Sequence, residues 1–231
     1  MNKGKKKTWV KVLRFVVLAF YLLLVVLPIY WMIVTSFKTN AEIINTQTIT
    51  YWPKVFTLEN YKGLFQTMHY GTYLKNSLIV TLSTAVVVTF LSIYGGYGMA
   101  RFKFKGKTAA LVFFLVTQMI PSILVIIPLY VMFAKFNLID TYVSLFVFYT
   151  ITNLPFCAIT MRSFFERIPY ALEESAYVDG CSRGQTLWKI VMPVMFPGIV
   201  AVFVFAFIGA WNELIAGTIF LNTQKMWTIP I

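Results

Sequence analysis

Charge is scarce in this chain. Asp, Glu, Lys and Arg together make up 12% of the 231 residues, against 59% hydrophobic residues, and the mean hydropathy is +0.75. A soluble domain of this size could not carry that composition on its surface, so the protein is integral to a membrane. Cysteine is nearly absent too. Cys157 falls in an apolar run and Cys181 in a polar loop, which leaves no disulfide framework. The single histidine, His69, and the lack of any Cys/His cluster argue against a metal site or an intramembrane metalloprotease. There is no phosphate-binding P-loop and no nucleophile elbow. The chain is therefore expected to bind no cofactor and to hydrolyse no ATP by itself.

What is present is a series of membrane-length apolar runs. Five spans of about 20 or more residues can be marked at Phe15 to Phe37, Ser77 to Ala100, Ala109 to Phe133, Thr141 to Met161 and Met195 to Leu221. At 1.5 Å per helical residue, each crosses a hydrocarbon core of about 30 Å. The fold class expected is all-α, a polytopic bundle of transmembrane helices embedded in lipid. The first run is too long for a signal-peptide core and no small-x-small cleavage site follows it, so it should remain as an anchor. Residues 1–14 read as a basic N-terminal segment and 15–231 as the membrane domain. A short amphipathic helix is expected around Leu58 to Met68.

The net charge of +12 might suggest nucleic acid, but its distribution does not. Fourteen of the twenty basic residues lie before the first span (Lys3 to Arg14), between the second and third (Arg101 to Lys107), or between the fourth and fifth (Arg162, Arg167, Arg183, Lys189). The positive-inside rule then places the N-terminus and the loop of about 162–193 in the cytoplasm.

That loop carries the most information. Pro169 suits a first helical turn and Gly180 the left-handed position after a helix end, which brackets one short helix from Pro169 to Asp179. Ser182 and Gln185 form a capping box for a second, from about Arg183 to Met192, and Pro193 marks its junction with the last span. The first helix should project as a knuckle. Ala176 and Gly180 would let another surface approach closely, Glu174 and Asp179 could accept hydrogen bonds or pair with basic groups, and Ile190 with Pro193 would fix the second helix.

Glu174-Ser175-Ala176, Gly180 after three residues, and Ile190 and Met192-Pro193 after nine more resemble the cytoplasmic coupling loop of ATP-binding-cassette importer permeases. Ser175 and Met192 depart from that family's Ala and Leu. The likeness extends to Ser36-Phe37-Lys38, Asn60-Tyr61, Asn76-Ser77, Tyr97 to Phe102, Gln118 to Pro121, Phe164-Phe165 and Trp211-Asn212-Glu213, and points to the carbohydrate-uptake, maltose-type branch. The resemblance implies a permease of a prokaryotic plasma (inner) membrane that moves sugars by alternating access. Its implied partners are a cytoplasmic ATPase dimer that consumes the ATP, a second permease subunit, and an extracellular or periplasmic solute-binding protein. It also implies six spans with Thr-x-Pro before the last. Thr228-Ile229-Pro230-Ile231 ends the chain, so a sixth span is expected beyond a C-terminally incomplete sequence.

Polar residues inside the spans are few. Glu213 would cost about 2.5–3.5 kcal/mol at a bilayer centre, so it should face protein or water. With Trp211 and Asn212, and between Gly209 and Gly217, it reads either as a lining of the substrate path or as a packing cluster. Gln118 with Pro121 and Asn153 with Pro155 are ambiguous in a similar way, since a proline in a span frees carbonyls that often line a cavity but can also simply bend the helix. An ion-driven secondary transporter would require more ionisable residues at mid-bilayer than Glu213 alone, and a permease for another small solute is the nearer alternative.

Overall fold

The computed structural model describes residues 3–45 and 47–231, with side chains from Trp9 onward. Residues 1–2 of the basic N-terminal segment, and the side chains of Lys3, Lys5, Lys6 and Lys7, lie outside that description. All regular structure among the described residues is helical. The chain divides into two compact units, Met1–Tyr70 and Gly71–Ile231.

The first unit contains α1 (Lys3–Ser36), α2 (Asn40–Ile44) and α3 (Glu59–Gln66). From Trp9 to Ser36, α1 is long and apolar enough to cross a membrane. The scattered marks of the sequence meet just beyond it. Asn60 Nδ2 donates to the carbonyls of Ser36 (3.0 Å) and Lys38 (2.8 Å), and the hydroxyls of Ser36 and Tyr61 lie 2.8 Å apart. Phe37 stacks on Phe56 at 4.6 Å. Asn60 thus satisfies carbonyls that the end of α1 leaves without intrahelical partners.

The second unit is built from α4 (Tyr70–Arg101), α5 (Lys107–Met119), α6 (Ser122–Lys135), α7 (Tyr142–Glu166), α8 (Ala171–Val178), α9 (Arg183–Gln185), α10 (Met192–Trp211) and α11 (Ile215–Phe220). Side chains of α4, α7 and α10 share a buried cluster that includes Val88, Met161, Phe165, Val202 and Ala206. A second cluster joins α6, α7 and α11, where Phe133, Phe148 and Phe220 meet edge-on at 5.2 and 5.7 Å. Lipid is as apolar as these side chains, so close packing rather than exclusion from water holds the helices together.

Two expected spans are not continuous helices. The third bends by 96° between α5 and α6. Ile120 is extended there (φ −80°, ψ 120°), the conformation favoured by a residue preceding proline, and Pro121 precedes the first turn of α6. Pro128, Pro155 and Pro197 lie inside helices that continue through them. The fifth run also breaks: α10 ends at Trp211, and α11 begins only at Ile215.

Candidate functional site

The knuckle is α8 with the turn after it. Its helix is shorter than the sequence suggests, because Pro169 and Tyr170 belong to the turn that leads in. Gly180 has φ +82° and closes the helix by two bonds, from Gly180 N–H to the Tyr177 carbonyl (3.1 Å) and from Cys181 N–H to the Ala176 carbonyl (2.9 Å). This pairing satisfies carbonyls that the helix end would otherwise leave open, and its left-handed residue favours glycine. The capping box also forms, with Gln185 N–H on Ser182 Oγ (3.4 Å) and Ser182 N–H on Gln185 Oε1 (2.9 Å).

Pro193 does not interrupt the helix that follows. The backbone widens into a π-helix over Thr186–Val191 and runs straight into α10. Met192 N–H reaches five residues back to the Leu187 carbonyl. Proline lacks an N–H and its ring crowds the carbonyl four residues back, and a widened turn just upstream relieves both demands.

The two faces of α8 differ sharply. Glu174, Ser175, Asp179 and Gly180 are exposed, as is Val178, with 87% of its surface open. Ala176 points the other way and is buried within its own subunit, so its small size serves internal packing. Ile190 is half-buried and Pro193 exposed.

Beside Ala176 sits a residue that the sequence reading passed over. Glu173 is 0% exposed. Its Oε1 takes the Nε–H of Arg101 at 2.5 Å and its Oε2 takes the Tyr97 hydroxyl at 2.8 Å. Arg101 also donates to the Ile168 carbonyl at 2.9 Å and lies over the Tyr170 ring at 5.7 Å. Every charge here is met by a partner, the condition under which a buried ion pair is tolerable. The available signals were the position of Glu173 three residues before Ala176, on the same side of a short helix, and the arginine at the exit of the second span.

The five candidates for a substrate path do not form one cluster. Gln118 lines a cavity of about 560 Å³ at the α5/α6 break, with Thr117, Ser122, Thr152 and Pro155. Asn153 turns away from it. Its amide donates to the Tyr149 carbonyl at 2.8 Å, and its Oδ1 stands where a Cβ on Gly209 would fall, 2.2 Å away. Trp211 stacks on Phe207 at 5.4 Å, and Asn212 is exposed at the end of α10. Glu213 accepts the Ala216 N–H at 2.9 Å, which ties its carboxylate to the first turn of α11. Gly217 packs closely against Ile231. Among the described residues, no group of three or more His, Cys, Asp or Glu could hold a metal ion.

Comparison with known proteins gives a consistent set of matches. Residues 92–230 match the family model described as binding-protein-dependent transport system inner membrane component. A diacetylchitobiose uptake system permease protein of Streptomyces coelicolor is 35% identical over 89% of this chain and 74% of that protein. A sulfoquinovosyl glycerol transport system permease protein of Agrobacterium fabrum is 32% identical over 96% of this chain and 77% of its own length. A trehalose/maltose transport system permease protein of Thermococcus litoralis is 31% identical over 88% and 73%. The crystal structure of a bacterial ABC transporter involved in the import of the acidic polysaccharide alginate contains a chain that matches with a TM-score of 0.81 at 20% identity, over 98% of this chain and 78% of that one. At that identity the likeness concerns the fold.

Proposed function

Because the chain belongs to the family of binding-protein-dependent transport system inner membrane components, we propose that it is a permease subunit of an ATP-driven importer of sugars or oligosaccharides. It is a multi-pass membrane component and not itself an enzyme. The reading of its cargo rests on the relatives, whose names specify uptake of diacetylchitobiose, transport of trehalose and maltose, and transport of sulfoquinovosyl glycerol.

The observation that carries the mechanism is the two-faced knuckle. The buried face of α8 is locked to its own subunit while Glu174, Ser175, Val178 and Asp179 stand clear on the other, as a docking helix requires. In this reading a cytoplasmic ATPase dimer receives that face, with the N-terminus on the same side of the membrane. A second permease completes the pathway and a solute-binding protein delivers the sugar from outside. Closure of the ATPases pushes the knuckle, and the spans rearrange to alternate access. The cavity at the α5/α6 break offers hydroxyl and amide groups from Thr117, Gln118, Ser122 and Thr152 to sugar hydroxyls.

The test is uptake into proteoliposomes by the complete complex purified through this chain, with radiolabelled maltose, trehalose and diacetylchitobiose offered separately. ATP-dependent accumulation of one of them is expected. Accumulation driven by a proton or sodium gradient without ATP would overturn the reading.

A further inference from the structure

We infer that Arg101, Glu173 and Tyr97 form a tether through which movement of the knuckle reaches α4, which makes Arg101 and Glu173 positioning residues for coupling. The inference rests on the proposed docking of an ATPase to α8. It concerns the face that the ATPase does not touch.

The argument begins with connectivity. α8 is joined through the chain to α7 on one side and, through α9 and the π-helical turn, to α10 on the other. A displacement of α8 therefore pulls on α7 and α10 through covalent structure. α4 has no such connection: Arg101 and Glu173 are 72 residues apart in sequence. Directed bonding between them comes from this cluster, at the last residue of α4.

The bonding geometry suits a tether. Arg101 holds two points at once, the Glu173 carboxylate within α8 and the Ile168 carbonyl just before it. Glu173 in turn holds two points on α4, Arg101 and Tyr97, one helical turn apart. Two attachments on each side resist rotation as well as separation. Glu173, with no exposed surface, cannot itself meet a partner subunit. Stability alone gives little reason for this chemistry, because well-packed apolar side chains commonly serve as well as a buried ion pair. What such side chains lack is fixed direction, which two discrete arrangements of a coupled machine require.

Coupling is reciprocal, so a tether that carries ATPase closure outward must also carry an external signal inward. This can be measured without transport. The complete complex in nanodiscs is assayed for ATP hydrolysis with and without its solute-binding protein, the latter supplied with a mixture of maltose, trehalose and diacetylchitobiose. Glu173→Gln is expected to cut the stimulation by about fivefold or more, while basal hydrolysis and the amount of ATPase retained on purification stay at wild-type levels. Arg101→Lys keeps the charge but cannot bridge both acceptors, and should cut it less. Tyr97→Phe leaves the ion pair intact and should cut it least, which keeps the test open if Glu173→Gln fails to assemble. Full stimulation in all assembled variants overturns the tether, as does a parallel loss of stimulation, basal rate and retained ATPase, the mark of a merely structural role. A wild-type complex that retains no ATPase would instead sink the docking proposal on which the tether depends.

Discussion

The two ends of α4 are fastened by different chemistry, one to the knuckle and the other to the C-terminal segment. At the knuckle end the fastening is side chain to side chain, with Arg101 and Tyr97 on Glu173, inside the protein. At the opposite end it runs largely from side chain to backbone. Asn76 Nδ2 donates to the carbonyls of Lys225 (2.8 Å) and Trp227 (2.9 Å), and Ser77 Oγ accepts the Ile229 N–H at 2.7 Å. Nearby, Asp140 accepts the N–H groups of Asn222 and Thr223, both at 2.9 Å, and the Thr223 hydroxyl. A backbone clasp holds a segment in place whatever its side chains are, whereas a charged pair ties two particular residues on two elements. The first arrangement suits an end that holds a loop. The second suits an end that must move with another helix.

The comparison breaks most visibly if one member of the charged pair is removed. Glu173→Ala leaves a largely buried guanidinium without its carboxylate, and losses of about 3–5 kcal/mol are typical of such a change. A large drop in the unfolding temperature of the detergent-solubilised protein is expected. Replacing both members, as Arg101→Met with Glu173→Met, should recover much of that stability. If the double variant is as stable as wild type yet loses ATPase stimulation, stability and coupling have been separated at one site.

Gly180→Trp should act on the exposed face alone. Nothing lies within 4 Å of a Cβ at Gly180, so a side chain can leave the backbone there without a clash at its root, and the positive φ costs about 1 kcal/mol. Membrane levels are expected to hold while ATP-driven uptake is lost. Quantitative immunoblotting beside the uptake assay checks both, and normal uptake would remove the knuckle from the docking surface.

Much of the knuckle was legible because its signals are local. A glycine after a helix and a Ser/Gln pair three residues apart each fix a backbone geometry with little help from the rest of the chain. Glu173 was not legible as a tether because its meaning lies in Arg101 and Tyr97, and charge counting treats Arg101 only as one more basic residue on the cytoplasmic side. The π-helical turn leaves no periodic trace, since one widened turn shifts the register without changing composition. At Pro121 a bend was legible as one of two readings, but its size, 96°, was not. Pro128, Pro155 and Pro197 are absorbed within helices, whereas the break at Pro121 leaves non-helical backbone beside a cavity, where it is tolerated at membrane depth. Asn153 in α7 and Gly209 in α10 pack against each other across two helices. A contact between residues so far apart in the chain leaves no local trace in the sequence.

At the clasped end, Asn76→Ala removes two bonds to backbone carbonyls from a residue that is itself buried. Unsatisfied groups of this kind cost about 1–3 kcal/mol. The effect should be local, with faster hydrogen exchange and proteolysis around Lys225 to Trp227 and unchanged stimulation of the ATPase. A coupling defect in this variant would erase the distinction between the two ends.

The mildest perturbation is acid. The Thr223 hydroxyl, followed by the backbone N–H groups of Thr223 and Asn222, holds the half-buried Asp140 carboxyl below its ordinary range. A carboxylate whose folded value is depressed contributes stability that is fully present above its unfolded value and is lost as pH falls through the folded one. Asn222 and Thr223 should therefore stay protected at neutral pH and loosen only below the usual carboxylate range, seen as accelerated amide exchange once the intrinsic pH dependence is divided out. Asp140→Asn should abolish this acid step, because an amide oxygen can still accept the two N–H groups without titrating. An acid step that persists in Asp140→Asn would place its origin in another carboxylate. Glu42 is the other acid held low by a threonine hydroxyl, that of Thr50, but it lies in the first unit and would report by exchange around Thr50 to Lys54 instead.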